Sequence, residues 1–202
     1  MDKRIPVLAV LLVFVAFLGY YGYITLSTPT KEYAYKLDYE GMLFLSNEAE
    51  ASDYLPAFTG FNEFIVSPAF GKDDVALMTK PLILFQGVLS AKQKRVILLA
   101  RVFEGNSLKY CQTNDANVLV NREISIEECN SLLSSYIPKI MINKPDSTLK
   151  QTTIVLENNS ITISPKNEYD LMNASYAVLR TMFEDIEEII QNMNKIITAL
   201  PR

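Results

Sequence analysis

The chain has 202 residues, and its 19 lysines and arginines against 23 aspartates and glutamates give a net charge of −4 and a pI of about 5.0. This acidic balance offers nucleic acid no basic surface, so no nucleic-acid partner is predicted. The sequence contains no histidine, which excludes the usual general base, the commonest metal ligand and every nucleophile that depends on histidine.

The first predicted element is an apolar run from Ile5 to Ile24 whose only polar side chains are three tyrosines. As a helix this run would be about 30 Å long, which matches the hydrocarbon core of a bilayer. Lys3 and Arg4 precede the run, and no positive charge follows it until Lys31. This bias predicts a single span with the N-terminus inside the cell.

The span divides the chain into four predicted regions. Residues 1–4 are a cytoplasmic tip, 5–24 an uncleaved transmembrane anchor in the cell membrane, 25–31 a linker, and 32–202 an extracytoplasmic domain. A cleaved signal peptide is the alternative to the anchor, but the apolar run is longer than the usual core of such peptides, about 7–15 residues. The part after the linker is long enough for one domain with its own core.

We predict an α+β fold for this domain, with a mainly antiparallel sheet and a long C-terminal amphipathic helix. Residues 32–45 alternate in polarity and predict a hairpin. Ser46 is predicted to cap a short helix, Asn47–Leu55, which Pro56 ends. Phe64–Val66 is predicted as a strand, and Leu82–Gln86, apolar on both faces, as a central strand.

The clearest strand pattern of the chain follows in Arg95–Thr113, a predicted hairpin whose first strand is apolar on both faces and belongs near the centre of the sheet. A short strand is predicted at Val118–Val120. Ser125 and Glu128 form a capping box that predicts the start of a helix. Lys139–Asn143 is predicted as a further strand.

A second hairpin is predicted in Thr152–Ser164 around an Asn-Asn turn. A two-residue loop pairs Leu156 with Ile161 and Ile154 with Ile163, which places these four side chains on one face. Asn158 and Asn173 each begin an Asn-x-Ser triplet and are candidate glycosylation sites.

The last predicted element is a helix from Glu168 to about Leu200, opened by Asn167. Its apolar stripe is wide, which favours packing against the sheet, although self-association through the stripe is an alternative. A break near Phe183 would divide it into two tandem helices. The predicted stripe consists of Met172, Leu179, Met182, Phe183, Ile186, Ile189, Ile190, Met193 and Ile196.

Cys111 and Cys129 are the only cysteines, and they are too few for a zinc site. A disulfide between them is predicted if the domain is outside the cell, whereas they remain two buried thiols if it is inside. No catalytic, cofactor-binding or metal-binding residue is predicted.

These observations predict a membrane-anchored extracytoplasmic module that binds another protein, the cell envelope or a second copy of itself, without enzymatic activity. One alternative is an enzyme that uses carboxylates, tyrosine, or serine with lysine. Another is a self-assembling surface subunit, because an apolar N-terminal helix before a globular domain resembles type IV pilins. That family has a small residue at its processing site, where this chain has Arg4.

Overall fold

The computed structural model describes residues 32–71, 75–115 and 122–199. The predicted anchor, its linker and the predicted strand Val118–Val120 lie outside these residues. In the part of the chain that is described, no helix is both long enough and apolar enough to cross a membrane.

The described residues form an α+β domain with nine strands in one sheet and five helices. The strands are β1 (Tyr35–Tyr39), β2 (Met42–Ser46), β3 (Glu63–Phe70), β4 (Arg95–Glu104), β5 (Ser107–Asp115), β6 (Arg122–Ile124), β7 (Lys139–Ile142), β8 (Thr152–Glu157) and β9 (Ser160–Ser164). The helices are α1 (Ala51–Phe58), α2 (Val75–Ala91), α3 (Ile126–Leu133), α4 (Glu168–Met182) and α5 (Glu187–Ala199).

The sheet is mixed, so the prediction of a mainly antiparallel sheet is wrong. Its strand order is β1-β2-β8-β9-β7-β3-β4-β5-β6. The central strands β9, β7, β3 and β4 run parallel to one another, and β2 is parallel to β8. The hairpins β1-β2, β4-β5 and β8-β9 are antiparallel, as is β5 with β6. The helices between distant strands provide the crossovers that parallel pairing requires.

The predicted register of the second hairpin is confirmed. Leu156 pairs with Ile161 and Ile154 with Ile163, and all four side chains are fully buried. The turn residues Asn158 and Asn159 have φ of 50° and 55°, a left-handed conformation that asparagine tolerates.

The segment Leu82–Gln86 is helical, so its prediction as a central strand is wrong. It lies inside α2, an apolar helix of 17 residues whose buried side chains include Leu84, Phe85 and Val88. An apolar run on all faces fits both a central strand and a helix buried on several sides, and here the length of the run decides for the helix.

Ser46 does not cap a helix, because it is the last residue of β2. Its hydroxyl oxygen accepts hydrogen bonds from the backbone N–H groups of Glu48 and Ala49, at 3.1 and 3.3 Å, and so organises the turn after the strand. Helix α1 begins later than predicted and contains Pro56. The caps predicted for α3 and α4 are confirmed: Ser125 accepts from the N–H of Glu128, and Asn167 from that of Asp170.

The predicted terminal helix is two helices, α4 and α5, with the break at the place given as the alternative. Phe183 is extended and Asp185 has φ of 54°, so the helical path ends at Met182 and begins again at Glu187. Helix α4 packs on β8 and β9, whereas α5 packs mainly on α2. The prediction that the whole stripe packs on the sheet is therefore wrong for α5, where Ile196 is half exposed and Ile197 is buried instead.

The helices divide unequally between the two faces of the sheet. Side chains from α1, α2, α4 and α5 join those of one sheet face in the main core. On the other face α3 forms a smaller core over Ile65, Leu99 and Cys111. The alternation of β3 produces this division, because Phe64 and Val66 enter the main core while Ile65 enters the smaller one.

Candidate functional site

Cys111 and Cys129 form a disulfide, with their Cα atoms 6.0 Å apart. Cys111 lies on β5 and Cys129 in α3, and both side chains are fully buried. The predicted pairing is therefore confirmed. The bond links α3, on the face of the sheet opposite the main core, to strand β5 beneath it.

The two candidate glycosylation sites lie in different surroundings. Asn158 is exposed in the β8-β9 turn. Its backbone N–H donates to Oε1 of Glu48 at 2.7 Å, so this hydrogen bond does not involve the side-chain amide. Asn173 is half-buried within α4, and Ser175 of its triplet is fully buried and donates to the carbonyl of Leu171. Both sites remain predictions.

No group of three or more Asp, Glu or Cys side chains in the described residues is arranged to hold a metal ion. A serine and a lysine, Ser135 and Lys139, lie near each other after the end of α3. The Lys139 ammonium donates to the backbone carbonyls of Ser135 and Ile137, at 2.5 and 2.8 Å, and burial lowers its pKa. The Ser135 hydroxyl donates to the carbonyl of Leu132 at 2.7 Å. Both side chains therefore donate hydrogen bonds to backbone carbonyls near the end of α3, and the lysine ammonium does not bond to the serine hydroxyl.

A buried arginine lies in the middle of the second sheet face. Arg101 of β4 is 9% exposed, and burial lowers its pKa to about 10, so it is still charged at neutral pH. Its Nη2 donates to the carbonyls of Ser67 and Ile142 and to Oδ1 of Asn143, at 3.1, 3.4 and 3.2 Å, while Nε has no partner in the described residues.

The reason for this arrangement lies in β3. Pro68 has no N–H to donate to a neighbouring strand. The pairing of β3 with β4 is interrupted at Ser67 and Pro68. The Ser67 hydroxyl donates to the carbonyl of Leu99 at 2.8 Å, and Arg101 donates to the carbonyl of Ser67. The arginine thus repairs an interrupted ladder, which is a structural role.

A crevice opens at the carboxyl end of the central parallel strands, where open α/β sheets commonly bind ligands. It has a volume of about 570 Å³ and is lined by Leu77, Lys144, Pro145, Asp146 and Glu168. The Asp146 carboxylate accepts from the hydroxyl and N–H of Thr148, at 2.6 and 2.9 Å, and these bonds lower its pKa. The Asp146 carboxylate therefore stabilises the turn that contains Thr148.

The sheet has an open lateral edge at β1. Its alternating sequence places Tyr35, Leu37 and Tyr39 on the sheet face that forms the main core, opposite the buried Ser46, Phe44 and Met42 of β2. The three side chains are nevertheless 41%, 49% and 49% exposed. No described strand pairs with the outer side of β1, because β1 is the last strand of the sheet.

A groove of about 320 Å³ separates β1 from α1. Its floor includes Phe44 and Leu156, and its walls include Leu37 on one side and Ala51 and Ser52 on the other. A groove beside an unpaired strand can accept a side chain while the strand itself pairs with a backbone, and these are the two elements of strand addition. We refer to β1 with this groove as the β1 edge.

The turn that ends β1 fixes its orientation. Glu40 and Gly41 have φ of 52° and 78°, the two left-handed residues of a type I′ turn. The sequence predicted this hairpin but not its position at the edge of the sheet. The sequence of β1 does indicate an edge position. Charged and aromatic residues alternate along it, and this pattern suits an edge strand better than a central one.

Compared with known proteins, the chain matches no family model, no curated protein and no solved structure.

Proposed function

We propose that this protein is a single-pass, membrane-anchored extracytoplasmic domain that binds another protein chain through the β1 edge. The observation that carries the proposal is the stripe Tyr35, Leu37 and Tyr39, which remains exposed on a strand whose outer side no described strand covers. Aromatic side chains beside an open strand are typical of protein interfaces.

The anchor and its orientation support this assignment. The apolar run Ile5–Ile24 is long enough for one span, and Lys3 and Arg4 favour an inside N-terminus. The buried Cys111–Cys129 disulfide favours the same orientation, since structural disulfides persist in oxidising compartments outside the cytoplasm.

The β1 edge begins four residues after Lys31, where the predicted linker ends. The stretch of chain between the predicted anchor and β1 is therefore short. Tethering in one membrane also raises the effective concentration of both partners, so a small interface is sufficient for binding.

The orientation can be tested with single cysteines and a membrane-impermeant maleimide. The native cysteines are joined and do not react. Tyr136 is 94% exposed, so Tyr136→Cys should be labelled on intact cells, whereas Asp2→Cys should be labelled only after permeabilisation. The reverse pattern would contradict the proposed topology.

The interaction can be tested by co-purification of the full chain from detergent-solubilised membranes. Tyr35→Ser combined with Tyr39→Ser should reduce the recovered partner severalfold. Tyr136→Ser is the matched control, because it removes an equally aromatic exposed side chain beside β7, which three strands separate from β1. Equal recovery with the two variants would show that the partner binds elsewhere.

A further inference from the structure

We infer that the partner of the β1 edge is a second copy of this chain, whose β1 pairs antiparallel with the first across a twofold axis at Leu37. The inference rests on the proposed function, because it names the occupant of the same edge. It joins two nine-stranded sheets into one, with the same residues on both sides of the interface.

The first argument comes from the backbone groups that β1 leaves free. In a hairpin with a two-residue turn, the residues that flank the turn exchange both hydrogen bonds, and the bonded pairs then alternate. Tyr39 and Met42 flank the turn, so the backbone groups of Tyr35, Leu37 and Tyr39 point towards β2. Those of Lys36 and Asp38 point to the open side.

A second β1 centred on Leu37 uses these free groups. Leu37 then faces Leu37 of the other copy as a non-bonded pair, and Lys36 faces Asp38 as a hydrogen-bonded pair. The symmetry repeats the Lys36–Asp38 pair on the other side of the axis. The outward N–H and C=O groups of both residues therefore gain partners.

The second argument is the charge of the same two residues. Lys36 and Asp38 are exposed, and neither has an ion-pair partner within the described part of the chain. Centring on Leu37 places each lysine directly opposite an aspartate. Opposite charges stabilise directly facing positions of an antiparallel pair, and like charges destabilise them.

The charges also exclude the neighbouring registers. Centring on Lys36 would oppose two lysines, and centring on Asp38 would oppose two aspartates. A shift by one residue would place the apolar stripe of one copy beside the charged positions of the other. A lysine on an edge strand normally discourages pairing, but with Asp38 two residues away it selects one register.

The third argument is the apolar stripe. In the Leu37-centred register Tyr35 lies opposite Tyr39 of the other copy, on the face that carries Leu37. Aromatic cross-strand pairs of this kind stabilise a sheet. The pairing therefore gives partners to the three apolar side chains that the monomer leaves exposed on β1.

A cysteine scan of the full chain in its membrane tests the register. Directly opposed non-bonded positions have Cα atoms about 4.5 Å apart, which lies within the range of a disulfide. Leu37→Cys should form a cross-linked dimer on mild oxidation, while Lys36→Cys and Asp38→Cys should each form little. Coexpression of the last two should form a mixed cross-link. A dimer with Lys36→Cys alone would overturn the proposed register.

Charge reversal in the Leu37→Cys chain tests the selectivity. Lys36→Asp should abolish most of the cross-link because aspartate then faces aspartate, and Asp38→Lys should do the same. The double exchange should restore it, since the signs are again opposite. Lys109→Asp, on an exposed residue of the β4-β5 hairpin, is the control and should leave the cross-link unchanged.

The outcomes separate this inference from the proposed function. If no position in the scan cross-links but the double tyrosine variant still loses a different co-purified protein, the second-copy inference is wrong and the interaction domain stands. If Tyr136→Cys is labelled only after permeabilisation, the proposed extracytoplasmic function is wrong whatever the scan shows. Failure of the double charge exchange to restore the dimer would contradict the Lys36–Asp38 pairing.

Discussion

Gly87 of α2 lies directly beneath Met193 of α5, so close that a Cβ at position 87 would overlap the methionine sulfur and approach its Cγ to 3.0 Å. The missing side chain lets the two helices pack against each other. Met193 also packs against the main core, to which Ile190 and Ile197 of α5 belong.

The first prediction uses this contact. Gly87→Ala should gain up to about 1 kcal/mol of helix propensity but lose about 1–3 kcal/mol to overpacking against Met193. We expect net destabilisation in the native background and stabilisation in a Met193→Ala background. Denaturant unfolding of all four chains measures the coupling, and additive effects would contradict the contact.

The second prediction concerns the disulfide. Cys111 and Cys129 close a loop of 18 residues by sequence separation, so Cys111→Ser with Cys129→Ser should lower the free energy of unfolding by about 3 kcal/mol in the chain-entropy model. Urea unfolding with and without reductant measures this. Reductant should destabilise the native chain by a similar amount and leave the double variant unchanged; a response of the double variant would point to another cause.

The third prediction concerns Arg101. Replacing it with methionine leaves the carbonyls of Ser67 and Ile142 without their donor, so we expect a loss of about 2–3 kcal/mol of stability. Arg95→Met on the same strand is the control. Its side chain is 48% exposed and paired with Glu63 at 2.8 Å, and an exposed ion pair contributes at most about 1 kcal/mol. Equal losses in thermal unfolding would contradict the repair role of Arg101.

Local patterns predicted the local features of this fold. The Leu156–Ile161 register follows from a two-residue turn, and the Ser125 cap from a spacing of three residues. The pairing of Cys111 with Cys129 also follows from nearby elements. Each of these depends on residues that are close in sequence, where alternation and capping chemistry have few solutions.

Features that depend on distant residues could not be predicted in the same way. The parallel pairing of β3 with β7 joins segments about 70 residues apart, and no residue in either strand specifies the other. The sequence favours one continuous helix over a break after Met182, because Ile186 and Ile190 continue the apolar stripe of α4 at helical spacing. For the candidate site, the sequence contained the Lys36–Asp38 alternation, but only the sheet order places β1 at an edge.

The fourth prediction concerns alkaline pH. Burial raises the pKa of Tyr54 to about 12 from 10.0, with further contributions from Glu48 and Glu157, while its hydroxyl donates to the carbonyl of Ser160 at 3.4 Å. The folded chain therefore holds this proton more tightly than the unfolded chain. The corresponding stability is complete below pH 10 and is lost as the pH rises towards about 12.

Tyr54→Phe should remove this part of the alkaline loss. The difference in unfolding free energy between the native chain and Tyr54→Phe should be constant from pH 7 to about 9 and then move in favour of the variant. Parallel curves for the native chain and Tyr54→Phe across the alkaline range would contradict the prediction.

The fifth prediction concerns glycosylation. In a host whose secretory pathway modifies Asn-x-Ser triplets, the full chain should carry one glycan, at Asn158, because this asparagine is exposed in a turn while Asn173 is half-buried within α4. Asn158→Gly should remove the glycan and keep the turn, since glycine adopts the positive φ of this position. Asn173→Gln should leave the glycan in place.

The mass shift on glycosidase treatment measures the glycan in both variants. A glycan that persists in Asn158→Gly would place the modification elsewhere. Because glycans are added only on the side that becomes extracellular, a chain without any glycan would contradict the proposed topology as well as the acceptor site.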